Sequence, residues 1–266
     1  MPPEWRIYAS LSGISKPVSC RVIGEMQGAR GPAIKAWMAP FSVQTKPSFH
    51  LIFLRAAKKR PPRMAISIHS DDLPADIDLG TAVAIDTEAM GLKTHRDRLC
   101  VVQLSAGDGN AHLVKINHPQ APSPNLAALL ADSGTTKLFH FARFDLAALT
   151  HYVGPVNGLV YCTKIASKLA RTYTDRHGLK DLCNELLGTD ISKAQQSSDW
   201  GRAELTKAQA EYAASDVLYL HQIRDRLDAM LAREGRTELA AACFDFLHHR
   251  VRLDLAGFDG LDIFHH

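Results

Sequence analysis

The chain has 266 residues, a formal net charge of +3 and five cysteines, enough length to bury a core without disulfide or metal staples. The charge is unevenly placed: residues 1–63 carry 11 Lys/Arg against 2 Asp/Glu, net +9, and residues 64–266 carry 20 against 26, net −6. The overall basic balance therefore makes no case for nucleic-acid binding by the larger part.

Cys20, Cys100, Cys162, Cys183 and Cys243 form no CxxC pair and are odd in number, which argues for buried thiols in a reducing, cytoplasmic setting rather than a disulfide framework. The longest apolar run, near residues 49–54, falls far short of the roughly eighteen residues of a membrane span, so a soluble chain is expected.

Residues 1–63 are poor in acids, include Lys58-Lys59-Arg60-Pro61-Pro62-Arg63 and show no sustained helical or strand period. Three readings stand for this basic N-terminal extension: a disordered arm, an organelle transit peptide, or upstream sequence ahead of a natural start at Met64. The third is favoured, because Met64 stands at the compositional break. The functional domain is accordingly expected over residues 64–266.

From Thr81 the punctuation becomes regular. Residues 81–86, 99–105 and 111–116 read as strands, with Ala106-Gly107-Asp108-Gly109-Asn110 as a tight connection between the last two. Strands so close in sequence must be antiparallel neighbours, since a parallel return needs a longer crossover. A short helix over 125–131 leads to a fourth strand over 137–142, expected parallel to the first. Residues 144–152 follow at helical spacing, with Leu146, Leu149 and Val153 as the apolar stripe. Further helices are predicted over 163–172, over 179–187 closed by Gly188, and as one long pattern over 206–232. Mixed strands with helices around them predict an α/β domain of ordinary size.

The chemistry-bearing residues sit at the ends of these elements. Asp86 and Glu88, spaced i, i+2, point to the same face of the first strand. Neighbouring carboxylates repel, so they either cap a turn or bind a cation between them. Asp145 falls one turn into the helix after the fourth strand, near that pair if the fourth strand lies beside the first. Tyr212 and Asp216 stand at i, i+4 on the late helix, one above the other. Taken singly, Asp145 could be a first-turn acid favoured by the helix dipole, and Tyr212 with Asp216 an exposed pair on a solvated face.

The order Asp86-x-Glu88, Asp145, then Tyr212-x-x-x-Asp216 resembles the DEDD exonucleases of the subgroup with a tyrosine in the last motif. The resemblance covers about residues 75–225 and implies a ribonuclease H-like fold of mixed β-sheet flanked by helices. It also implies metal ligation by Asp86, Glu88, Asp145 and Asp216, with Tyr212 as the fifth catalytic position. Phosphodiester hydrolysis by two divalent cations about 4 Å apart uses one to activate the attacking water and one to neutralise the leaving oxygen. Hard carboxylate ligands favour Mg²⁺ or Mn²⁺, and no His or Cys cluster offers a zinc site. Tyr212, with an ordinary pKa near 10, suits orienting the water better than deprotonating it.

Long-form ribonuclease D continues past the last motif into helical domains, whereas 50 residues follow Asp216 here. The tracts at 95–104 (His-Arg-Asp-Arg-Leu-Cys-Val-Val-Gln-Leu), 162–167 (Cys-Thr-Lys-Ile-Ala-Ser) and 172–180 (Thr-Tyr-Thr-Asp-Arg-His-Gly-Leu-Lys) are similar to short ribonuclease D relatives of the nanoRNase C type. That resemblance implies degradation of very short RNA, dinucleotides above all, by a ring-like homo-oligomer. A body of net charge −6 agrees, being poorly suited to hold many phosphates. Trimming of tRNA or other stable RNA 3′ ends is the alternative, and a catalytically silent binding module a third.

Leu92 matches the apolar wedge between two bases; otherwise it is a loop residue on the core. His249 and Arg252, in the run His248-His249-Arg250-Val251-Arg252, are candidates for a 5′ phosphate cap acting across a subunit boundary, or else a solvated helix end. Trp200 reads either as a base-stacking ring or as an anchor for the catalytic helix. His140 and His177 read as core or loop residues.

Overall fold

The computed structural model describes residues 65–118 and 121–265, so the readings of the basic extension lie outside the described residues. In chain order the elements are β1 (Ile66–Ser70), β2 (Ala82–Ala89), β3 (Leu99–Ser105), β4 (Ala111–Lys115), α1 (Pro124–Ala131), β5 (Thr136–Phe139), α2 (Ala142–Tyr152) and β6 (Val160–Cys162). Then follow α3 (Thr163–Ala170), α4 (Leu179–Leu187), α5 (Lys207–Leu218), α6 (Leu220–Arg233), α7 (Thr237–Leu253) and a π-helical turn, Asp254–Phe258.

The described strands form one six-stranded sheet in the order β1-β4-β3-β2-β5-β6. β2, β3 and β4 are an antiparallel meander, as their short connections require. β5 returns parallel to β2, with Ala82 opposite Thr136. This mixed sheet flanked by helices is the ribonuclease H-like α/β arrangement expected from the sequence. Apolar side chains of β2 and β3 such as Ile85, Val102 and Leu104 meet Leu146 of α2 in the main core. The opposite face carries Val101 and Leu113, packed on Ala210 and Ala213 of α5 with Trp200 between.

Several elements differ from the sequence expectation, each for a physical reason. β1 was not predicted: it is a short, half-exposed edge strand paired parallel to β4. It is latched by Asp71, whose carboxylate accepts from the backbone N–H groups of Asn117 and His118. β6 has three residues, too few to show a period. The fourth strand stops at Phe139 rather than residue 142, because Phe141 turns into the left-handed region and α2 begins at Ala142. The long helix over 206–232 is two helices that meet at Tyr219, the C-cap of α5 and N-cap of α6. There His221 shares a hydrogen bond with the Ala82 carbonyl, tying the junction to β2. Gly107 has φ +79°, and a Cβ there would lie 2.7 Å from the His221 ring, so the β3–β4 turn closes over the junction only with glycine.

Two helix ends follow their sequence signals. Thr206 accepts from the Gln209 N–H while the Gln209 side chain accepts from the Thr206 N–H, a capping box opening α5. Gly188 takes φ +66° as the left-handed cap of α4.

Candidate active site

Asp86 and Glu88 lie in the last half of β2, where the register with β3 shifts at a bulge between Glu88 and Ala89. Such an irregularity re-aims side chains at a strand end. α5 crosses this face of the sheet and brings Asp216 to the pair. One carboxylate oxygen from each of Asp86, Glu88 and Asp216 lies within 4.8 Å of the other two. Asp145, in the first turn of α2, is not in that triplet. The Thr87 hydroxyl donates to it at 2.6 Å, and Thr87 projects from the face of β2 opposite to its two acidic neighbours. Asp145 therefore approaches the acids from the α2 side while Asp216 approaches from the α5 side.

The four acids perturb one another. Burial, then the charges of Asp145, Asp216 and Glu88, push Asp86 well above the usual carboxylate range. Burial, Asp216 and Asp145 do the same to Glu88. Asp145 is raised by burial, with the Thr87 hydroxyl pulling the other way. Asp216 is raised by burial, opposed by the Tyr212 hydroxyl and the Lys193 ammonium. Burial and the charges of Asp216, Glu88 and Asp86 raise the Tyr212 phenol, so at neutral pH it keeps its proton. A half-buried gathering of hard oxygen donors that resist ionising together is a fit for a divalent cation, which removes the repulsion.

The other sequence candidates divide. Leu92 is 83% exposed and lines a cleft of about 540 Å³ with Phe141, Phe144 and Arg143. It is a loop residue facing open space, not one packed on the core. His249 and Arg252 are both exposed on α7. Neither lines the Leu92 cleft, and Arg252 lines a different one with Leu146, Val156 and His248. Trp200 is 2% exposed, its ring 6.0 Å from that of Tyr212; it anchors α5 and has no face open for a base. His140 shares a hydrogen bond with Thr163 Oγ1 at 2.9 Å, and burial with Lys164 and Lys193 lowers its pKa to about 3. His177 pairs with Ser167 at 2.9 Å. Both histidines are structural, as read.

Four features of the site escaped the sequence reading. Thr87 was hidden by its position between the two acids, although strand alternation puts it on the α2 face. Lys193, on an irregular segment, has no sequence signal. Gln103 stands opposite Asp86 across β2 and β3, fully buried, and among the described residues neither polar atom of its side chain has a hydrogen-bond partner. Arg143 grips Asp254 through two hydrogen bonds of 2.6 and 2.8 Å and donates to the Asp259 carbonyl. It thereby clasps the π-helical turn against one end of the Leu92 cleft.

Carboxylates gathered on a mixed sheet, joined by a tyrosine one turn before the last of them, define a metal-dependent phosphodiesterase site. The family model described as 3′–5′ exonuclease matches residues 68–232, and the chain belongs to that family. It is similar to Brucella melitensis NrnC: the structure bound to pGG has 57% identity and a TM-score of 0.74, covering 77% of this chain and all of that one. The structure of the same protein with bound Mg²⁺ has 56% identity and a TM-score of 0.73, covering 76% of this chain and all of that one. Ribonuclease D of Acidiphilium cryptum is 38% identical over 162 residues, 60% of this chain. The chain spans less than half the length of the curated ribonuclease D relatives it matches, 40% of that protein and 46% of the one from Granulibacter bethesdensis. Among the described residues no helix is long and apolar enough to cross a membrane.

Proposed function

We propose that this chain is a metal-dependent 3′–5′ exoribonuclease that hydrolyses very short RNA, dinucleotides above all, to 5′-mononucleotides. The observation that carries the reading is the meeting of Asp86, Glu88 and Asp216 within 4.8 Å; the chain leaving Glu88 carries Leu92 into a small cleft that is also bordered by Phe144, the neighbour of Asp145. Asp86, Glu88, Asp145 and Asp216 would hold two divalent cations, Mg²⁺ or Mn²⁺. When bound, such cations neutralise the phosphate and make water a competent nucleophile at neutral pH.

The chain's own part is to gather and fix the groups around the phosphodiester. Thr87 holds the Asp145 carboxylate by a hydrogen bond to one oxygen. Tyr212 keeps its proton, and its hydroxyl orients the attacking water rather than deprotonating it. Leu92 separates the two bases, and the Arg143–Asp254 clasp closes one end of the cleft to a longer chain.

Support for a two-nucleotide substrate comes from the 57% identical Brucella protein, solved bound to pGG. His249 and Arg252, exposed on α7, would cap the 5′ phosphate of a substrate held by a neighbouring copy in a ring-like homo-oligomer.

Trimming of structured RNA is the second reading, favoured by the ribonuclease D relatives. Incubating the protein with short RNA in Mg²⁺ and in EDTA, beside an Asp86→Ala variant, tests the enzyme. Cleavage is expected only for wild type with Mg²⁺, and the variant should keep its far-UV circular dichroism. Cleavage by the variant, or cleavage in EDTA, contradicts the metal site.

A further inference from the structure

The structure assigns a role to Phe141: we infer that its ring, in the cleft that Leu92 also lines, is the platform on which a substrate nucleobase stacks. The inference rests on the nuclease reading and goes beyond the acids and the wedge. Phe141 has φ +74° and ψ +42°, a left-handed conformation unfavourable for a bulky side chain. Glycine would adopt it freely. Strain of this kind persists where the surroundings enforce it, and it clusters at functional sites. The strained ring does not serve the core: Phe141 is 48% exposed, while Phe139 and Ala142 on either side of it are fully buried.

Its position is tied to the acids. Phe141 is the N-cap of α2, four residues and so about one helical turn before Asp145. It borders two clefts, the Leu92 cleft and a groove between α3 and α7. The Lys164 ammonium lies 4.2 Å from the ring centroid and lines the groove but not the Leu92 cleft. The cation thus sits over one face of a ring that borders both the groove and the Leu92 cleft. A cation over one face holds the ring in place and adds positive charge beside a slot for an anionic chain. A bare aromatic face binds any base, because every base has a π-face. That suits an enzyme that must accept dinucleotides of all sequences.

Full-length wild type, Phe141→Tyr, Phe141→Leu and Phe141→Gly are compared for binding of a dinucleotide carrying 2-aminopurine, read by its fluorescence with Ca²⁺ in place of Mg²⁺. Steady-state KM for ordinary and abasic dinucleotides is measured in parallel with Mg²⁺. Glycine relieves the backbone strain, so that variant is expected to fold, and thermal melts verify it. Wild type and Phe141→Tyr should quench the probe. Leucine and glycine should lose the quenching and weaken affinity about tenfold, within the range for one base–aromatic stack, with affinity for the abasic dinucleotide unchanged. Equal quenching in all four proteins, or an equal loss of abasic affinity, overturns the platform while leaving the nuclease reading standing. A wild-type chain that neither binds nor cleaves the dinucleotide removes that reading, and the platform with it.

Discussion

Thr87 Oγ1 is the donor that ties Asp145 to the strand carrying the other acids. In Thr87→Val the shape is kept and the donor lost, leaving a buried carboxylate oxygen without its partner. The expected cost is on the order of 1–3 kcal/mol, read as a lower urea midpoint, with slower cleavage at limiting Mg²⁺. A variant as stable and as active as wild type would show that the bond does not position Asp145. Tyr212→Phe removes only the hydroxyl proposed to orient the water, so kcat should fall about 100-fold or more with KM little changed. A rise in KM at constant kcat would place Tyr212 in substrate binding instead. Asp86 with Glu88, and Tyr212 with Asp216, were legible as pairs from spacing, i, i+2 on a strand and i, i+4 on a helix, whereas their union with Asp145 came from the resemblance to the DEDD exonucleases. Thr87, Gln103 and Phe141 were not, since cross-strand pairing, a missing partner and a positive φ leave no mark in the sequence.

At the level of elements, α5 is the one whose register decides the site, because it carries both Tyr212 and Asp216. Its start is fixed by the Thr206–Gln209 capping box, and the Gln209 amide also donates to Ser198 Oγ and the Asp199 carbonyl. Trp200 fills the space between α5 and β3 and β4. Trp200→Ala should cost about 3–5 kcal/mol, measured by chemical denaturation, and lower activity by freeing α5. Trp200→Phe should retain most of both; an alanine variant of wild-type stability would contradict the anchoring role. The sequence identified α2 and α5 because each buries one regular face, and the meander because its strands are short apolar runs bounded by turn residues. It missed the break at Tyr219, where Leu218, Tyr219 and Leu220 continue the apolar pattern without Gly or Pro. The break accompanies tertiary contacts of His221 with β2 and the Gly107 turn. β1 and β6 escaped because an edge strand and a three-residue strand carry too little pattern, and α7 because its Arg250 and Arg252 obscured its apolar stripe.

For the molecule as a whole, the acid cluster trades stability of the metal-free chain for a place to bind charge. Asp86, Glu88, Asp145 and Asp216 all titrate higher in the folded chain than carboxylates do in water. Between the ordinary carboxylate range near 4 and those raised values, the folded chain holds more protons than the unfolded one, so metal-free stability falls as pH rises. Binding of Mg²⁺ to the ionised cluster reverses the effect, and the rise in Tm on adding Mg²⁺ should be larger at pH 8 than at pH 5. An equal rise at both would contradict a cation held by these acids. The charge asymmetry of the sequence was visible from composition, whereas the Leu92 cleft depends on how the Leu92 loop, α2 and the turn after α7 come together in space. We propose that substrate length is read in that cleft, and a length series is the most direct test of the proposed activity. Single-turnover cleavage of a 5′-labelled dinucleotide, a heptanucleotide and a long unstructured RNA, with Mg²⁺ and equal protein, should consume the dinucleotide fastest, with 5′-mononucleotides as products. Loss of the long RNA at an equal or greater rate would contradict it.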